Sequence, residues 1–192
     1  VSQILPDNAP EVDEEDQQKF MQNLKRISIS GVQEKYSLIL KKNMLQLTEE
    51  KEQGTYILKP KPYGLQRTGM VPANEHLTMQ IAAQIYQIQT AENGIVFFKN
   101  NEPAYITKRF DIGSNGQKLG QEDFASLAGK TEENAGKNFK YNYSYEGIAE
   151  LIRKYVGAWK VEMEKYYRLV IFNFLFSNGD AHLKNFSVIE TI

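Results

Sequence analysis

Apolar positions recur along this chain with two periods, two residues in short runs and three to four in longer ones, and the two kinds of run follow one another in a definite order. Tyr36 to Leu40 and Asn43 to Leu47 read as two strands joined by Lys41-Lys42 into a hairpin. Thr55-Tyr-Ile-Leu-Lys-Pro60 reads as a third strand, carrying a single lysine near its end and stopped by proline. Pro72-Ala-Asn-Glu-His76 opens a helix in which Leu77, Ile81, Ile85 and Ile88 return every three or four residues as one apolar stripe, with Glu75 in the first turn. Glu92-Asn-Gly94 ends the helical region, and Ile95 to Phe98 and Ala104 to Thr107 make two further strands around Asn100-Asn-Glu-Pro103.

From Ile112 the pattern changes. Gly113, Asn115, Gly116 and Gly120 make a loop, and Gln121 to Leu127 reads as a short helix. Residues 129–145, with Tyr141, Tyr143 and Tyr145 alternating, read as loop. Two helices follow: Ile148, Leu151, Ile152 and Tyr155 line a face of the first, and Met163, Tyr166, Tyr167, Val170, Ile171 and Phe174 give the second a broad apolar surface. At the other end, an acidic run over residues 7–16 precedes Phe20, Met21 and Leu24, a solvated lead-in to a short helix.

Composition narrows the class without choosing a function. At 192 residues, with 41% hydrophobic and 24% charged positions, the chain can bury a core of one domain or of two small lobes, and disordered or fibrous classes are set aside. A net charge of -1 argues against nonspecific nucleic-acid binding through a basic surface. Without cysteine there are no disulfides or thiolate metal sites. Val1 to Pro10 lack the basic and apolar regions of a signal peptide, and no apolar run approaches the roughly 20 residues of a membrane helix, so the chain reads as cytoplasmic.

Candidate chemistry concentrates where the last helix breaks. Asn178-Gly179 is a turn dipeptide, and Asp180, His182, Lys184 and Asn185 follow at once. Asp180 and Asn185 have the D-x-x-x-x-N spacing of the kinase catalytic loop, in which the aspartate accepts a hydroxyl proton and the asparagine holds Mg²⁺. A helix cap and a solvated turn would use the same residue types. Three features upstream are compatible with phosphate chemistry: Ser28, Ser30 and Gly31 in a small-residue loop, Lys59 at the end of an apolar strand, and Glu75 in the helix. Each has a plainer reading: an ordinary turn, a lysine snorkelling to water, and an acidic residue at a helix N-terminus.

Taken in order, these segments resemble the HipA-family serine/threonine kinases, toxins of bacterial toxin–antitoxin systems. The resemblance is carried by Ser28-Ile-Ser-Gly-Val-Gln-Glu-Lys35, Ile57-Leu-Lys-Pro60, Asn74-Glu75, Arg109-Phe-Asp111, Gln121-Glu-Asp123 and Asn178-Gly-Asp-Ala-His-Leu-Lys-Asn-Phe-Ser187, and it covers nearly everything from Arg26 to Val188. The short N-terminal extension is most similar to the compact HipT form, in which an N-terminal subdomain is supplied by a separate small protein. The resemblance implies an α+β, protein-kinase-like fold of two lobes. Residues 1–25 would be the lead-in, 26–111 a β-rich N-lobe with its hinge, and 112–192 the start of a helical C-lobe with the catalytic loop.

It further implies ATP and Mg²⁺ as cofactors. Asp180 would be the catalytic base, His182 would orient its loop and Asn185 would bind the metal. Lys59 would meet the ATP phosphates and pair with Glu75, Lys108, Arg109 and Phe110 would meet the adenine, and Ser30 and Gly31 would lie over the phosphates. Ser28 and Ser30 would be autophosphorylation sites. The implied partners are an antitoxin, through which alone nucleic acid would be met, and a protein substrate such as an aminoacyl-tRNA synthetase. Two departures stand out: there is no G-x-G-x-x-G, and the family's second metal-binding aspartate is expected beyond Ile192, so the chain looks truncated within the C-lobe. A small-molecule phosphotransferase of the aminoglycoside or choline kinase type, or a catalytically silent binding module, are the alternatives.

Overall fold

The computed structural model describes residues 4–5, 34–62 and 68–190, and in it the chain divides into two compact units. The first comprises residues 1–85 with 89–112, the second residues 86–88 with 113–192. Ser28, Ser30 and Gly31 lie outside the described residues.

The first unit is a six-stranded sheet carrying a helix. Its strands are β1 (Ile4–Leu5), β2 (Tyr36–Lys41), β3 (Met44–Leu47), β4 (Tyr56–Pro60), β5 (Asn93–Phe98) and β6 (Pro103–Lys108), in the order β1-β5-β6-β4-β2-β3. Every pairing is antiparallel except that of β1 with β5. The period-two pattern is realised as a one-sided core: Tyr36, Leu38, Leu58, Val96, Phe98 and Ala104 are buried together, while Leu40, Met44 and Leu47 at the β2–β3 edge stay exposed.

The hairpin turn sits one residue later than the sequence suggests. Lys42 and Asn43 both take positive φ, 48° and 62°, as a two-residue loop needs for its twist to match that of the flanking strands. Gly54 lets the segment before β4 press onto β2: a Cβ there would lie 2.0 Å from Ser37 Oγ and 3.1 Å from the Leu38 carbonyl oxygen.

Helix α1 (Val71–Gln84), with Pro72 in its first turn, packs on β5 and β6. Its expected stripe does not form the buried face. Leu77 and Ile85 are exposed, and the helix ends before Ile88; Pro72 and Ala82 are the buried positions. Ile81 of the apparent stripe is half-buried. Glu75 stands in the second turn, beyond the first-turn amides. Asn93-Gly94, which has the look of a turn, instead begins β5, with Asn93 Oδ1 held by His76 Nδ1 at 2.8 Å.

The second unit is mainly helical. Gln121–Asp123 is a strand, β7, not the start of a helix; it leads into α2 (Phe124–Leu127) through Asp123, whose carboxylate accepts from the Ser126 amide. The stretch expected to be loop holds α3 (Glu132–Ala135), capped by Thr131 and Asn134, and a 3₁₀ turn over Phe139–Tyr141. Then come α4 (Tyr145–Tyr155), α5 (Trp159–Leu175), a 3₁₀ turn over Leu183–Asn185, and β8 (Ser187–Ile189), which pairs antiparallel with β7. The core gathers Phe124, Ala125, Ile148, Leu151, Ile152, Tyr166, Leu183 and Phe186. The broad apolar surface of α5 is therefore split: Met163, Tyr166 and Val170 face this core, whereas Tyr167, Ile171 and Phe174 are exposed. Among the described residues no helix is long and apolar enough to cross a membrane.

Candidate functional site

Two constellations of polar side chains stand out, one in each unit. In the first, β4 is an interior strand, flanked by β2 and β6, so its side chains are fixed by ladders on both sides. Lys59 projects from it and forms an ion pair with Glu75 of α1, both side chains about a quarter exposed. The Lys59 ammonium also lies 5.3 Å from the ring centroid of Tyr105, its cross-strand neighbour on β6. Burial, and after it the Glu75 carboxylate, push the Tyr105 phenol up to about 12. Lys35 belongs to the same group of charges: burial and then the charge of Lys59 hold its ammonium below the usual lysine range, with Glu75 opposing.

Lys61, two residues along, pairs with Glu102 at the other end of the β5–β6 hairpin. The segment read as the hinge holds itself. Lys108 ends β6 and reaches Glu92 at 3.0 Å, Arg109 clasps the buried Asp111 through two bonds of 2.9 and 2.5 Å, and Phe110 is 63% exposed. The Arg109 amide donates to the Thr55 carbonyl at 2.8 Å, which ties this segment to the start of β4.

In the second unit the polar group is built on the way α5 stops. Ser177 adopts φ 55°, the Asn178 amide donates to the Asn173 carbonyl at 2.8 Å and the Ser177 amide to that of Phe174 at 3.2 Å. That pair of bonds is the Schellman closure, with serine where glycine is usual. Thus the left-handed residue is Ser177, and Gly179 of the apparent turn dipeptide is not needed for it. Asn173, a buried amide in an otherwise apolar stretch of helix, adds a side-chain bond from Asn178 Nδ2 at 3.1 Å. A cleft of about 220 Å³ opens here, lined by Leu169, Asn173, Asn178, Asp180, Ala181, Asn185 and Phe186.

Asp180 stands in the turn with its side chain 72% exposed, and one carboxylate oxygen accepts the Tyr141 hydroxyl at 2.8 Å. His182 Nε2 is 3.8 Å from that same oxygen, its ring stacked edge-on against Tyr141 at 4.9 Å. Burial, and next the positive charge of Lys140, lower the His182 pKa, with Asp180 opposing; its buried Nδ1 has no hydrogen-bond partner among the described residues. The ring is therefore suited to a packing and orienting role. Asn185 Oδ1 receives the His182 backbone amide at 3.3 Å, closing the loop on itself. Lys184 turns away from the cleft to Asp123, at 3.0 Å, and so fastens the turn to the cap of α2.

The structure thus brings Asp180, His182 and Asn185 together in one unit and Lys59 with Glu75 in the other. Sequence reasoning missed Tyr141, Asn173 and the Lys184–Asp123 pair. For Asn173 there was a signal, a lone amide among Val170, Ile171, Phe172, Phe174 and Leu175. Tyr141 had none, because its neighbour lies 39 positions away.

Comparison with known proteins speaks to family and fold. Residues 27–191 match the HipA-like C-terminal domain. Over 170 residues the chain is 32% identical to a Haemophilus influenzae protein named "Putative kinase", covering 85% of this chain and 48% of that one. A Sinorhizobium fredii protein named "Putative kinase Y4mE" is 29% identical over 174 residues, 85% of this chain and 39% of its own length. The chain therefore spans less than half of either relative. Among solved structures, the Shewanella oneidensis MR-1 toxin–antitoxin complex of HipA, HipB and operator DNA contains a chain that superposes with a TM-score of 0.66. It shares 24% identity over 97% of this chain and 50% of that one, a likeness that speaks for the α+β fold. With the match running through both units, the chain belongs to the HipA-like C-terminal domain family.

Proposed function

We propose that this chain is part of an ATP-dependent protein serine/threonine kinase that acts as the toxin of a bacterial toxin–antitoxin system. The observation that carries the reading is the ion pair between Lys59 on an interior strand and Glu75 on the helix packed beside it. Protein kinases use such a pair to hold the lysine against the nucleotide phosphates. Snorkelling to water does not account for a lysine held this way, and a helix-dipole role does not account for a glutamate in the second turn.

In this reading Lys59 binds the phosphates of ATP, and Lys108, Arg109 and Phe110 meet the adenine with Phe110 offering its exposed ring. Asp180 accepts the proton of the attacking hydroxyl, and His182, packed and neutral, fixes the loop that carries Asp180 and Asn185. Mg²⁺ prefers hard oxygen ligands, and the Asn185 side-chain oxygen, on the cleft that Asp180 also lines, suits it. When bound, the ion would neutralise charge on the transferring phosphoryl group. Ser28 and Ser30 are the autophosphorylation sites in the loop over the phosphates. The partners are an antitoxin, as HipB accompanies HipA in the Shewanella complex, and a separate small protein in place of an N-terminal subdomain. The substrate is a protein hydroxyl, with an aminoacyl-tRNA synthetase the leading candidate.

The test is to incubate the whole protein that carries this sequence with labelled ATP and Mg²⁺ and to locate phosphate by mass spectrometry. Phosphoserine on the protein is expected, and Asp180→Asn should reduce its formation by about 10² to 10⁴ without moving the thermal midpoint. No phosphate on protein, with transfer instead to an added small-molecule alcohol, would overturn the protein-kinase reading.

A further inference from the structure

We infer that Tyr141 is a positioning residue for the catalytic base, holding one oxygen of Asp180 so that the other faces the acceptor hydroxyl. The inference rests on the kinase reading for the role of Asp180, but the contact that carries it is a property of the second unit alone. Asp180 sits in an exposed turn, where a short carboxylate would sample several rotamers. Among the described residues its carboxylate has one hydrogen-bond donor, the Tyr141 hydroxyl, at 2.8 Å to Oδ1. The same ring packs edge-on against His182 at 4.9 Å and 84°, so Tyr141 touches two of the three side chains of the loop that the kinase reading uses, Asp180 and His182.

Tyr141 is itself held. It ends the 3₁₀ turn Phe139–Tyr141, whose Phe139 packs against the core of the unit, and its amide donates to the Asn138 carbonyl at 2.9 Å. The Lys140 ammonium lies 5.0 Å from the centre of its ring. The ring itself is 51% exposed, anchored by its backbone turn and by the edge contact with His182, and it reaches the base from a segment of the chain outside the loop. With Oδ1 occupied, Oδ2 is left to accept the proton of the attacking hydroxyl; the phenol keeps its own proton throughout.

The measurement is the rate of phosphate incorporation from labelled ATP into the whole protein carrying this sequence, with ATP varied. Wild type is compared with Tyr141→Phe, Asp180→Asn, the double variant, and Tyr155→Phe as a control for loss of an exposed hydroxyl. Tyr141→Phe keeps the ring over His182 and removes the hydrogen bond. The maximal rate should fall about tenfold, the scale of a hydrogen bond to a charged group, with half-saturation by ATP and the thermal midpoint unchanged. In the Asp180→Asn background the same substitution should have no further effect, since Tyr141 acts through that carboxylate. A wild-type rate in Tyr141→Phe, an equal loss in both backgrounds, or a faster rate, which would mark the phenol as an obstruction in the acceptor's place, each overturns the inference. The Asp180 carboxyl ¹³C resonance, assigned by its loss in Asp180→Asn, is read in parallel. It should move in Tyr141→Phe and not in Tyr155→Phe. If it stays still, the inference fails whether or not phosphate is transferred, whereas a moved resonance in a protein that never takes phosphate from ATP counts against the kinase reading alone.

Discussion

At the scale of single residues, burial and charge separate side chains that look alike in sequence. Lys59 and Lys61 flank Pro60, but one leaves an interior strand toward Glu75 and Tyr105 and the other pairs with Glu102 near a hairpin end. Lys59→Ala should weaken ATP binding by tenfold or more, on the scale of a charge-assisted contact of about 1.5–3 kcal/mol, while Lys61→Ala leaves it within about twofold. Isothermal titration with Mg²⁺–ATP reads both, and equal effects would return Lys59 to the role of a surface-seeking lysine. His182 gives a pH signature. Its folded pKa lies below the ordinary 6.5, so between the two values the unfolded chain binds a proton that the folded protein does not. The stability it contributes is present in full above about pH 6.5 and is lost as pH falls from there through the lower folded-state pKa. The thermal midpoint should therefore drop between pH 7.5 and 5, and the His182→Gln variant should show a shallower drop; parallel curves would mean that other groups carry the dependence.

At the scale of elements, termini matter more than propensities. The end of α5 places Asp180, and it is closed by Ser177 in a left-handed conformation that costs a residue with a Cβ roughly 1 kcal/mol or more. Ser177→Gly should raise unfolding stability by about 0.5–1 kcal/mol, read as a higher urea midpoint with unchanged slope. A lower midpoint would show that the serine hydroxyl makes a contact worth more than the strain. The cap of α2 works the same way. The Asp123 carboxyl lies below its usual range because its bonds to Ser126 and Lys184 outweigh burial, the largest single influence, which pushes the other way. One carboxylate thus holds both a helix start and the turn of the candidate catalytic loop.

At the scale of the whole molecule, the chain folds as two units of different chemistry, a sheet with one helix and a helical body with a two-stranded ribbon. The proposed reaction draws on residues of each, and Ser28 and Ser30, outside the described residues, are the proposed place for control. Phosphate there adds about -1.5 to -2 charges at pH 7 beside where ATP phosphates would lie. The variant Ser28→Asp with Ser30→Asp should bind ATP about tenfold more weakly than Ser28→Ala with Ser30→Ala, measured by titration of each. Equal affinity, with no phosphate on either serine after incubation with ATP, would remove this self-limiting switch.

By itself the sequence determined the order of the elements from Tyr36 to Lys108 and the residue types of the candidate site. Strand alternation from Tyr36 to Pro60 and again from Ile95 to Thr107, the proline at the start of α1 and the D-x-x-x-x-N spacing are local properties, set by side-chain period and backbone restriction within a few residues. Only the tertiary structure decided which apolar positions are core: Ala82 is buried and Leu77 is not, because burial follows from which side of the helix meets its neighbours and not from side-chain size. It also made Gln121–Asp123 a strand, since an isolated three-residue segment has no ladder until β8 arrives beside it. And it brought Lys59 to Glu75, Lys184 to Asp123 and Tyr141 to Asp180, across separations of 16, 61 and 39 residues. Contacts of that range leave no period in the sequence, for they exist only once cores have closed and fixed the backbones that carry them.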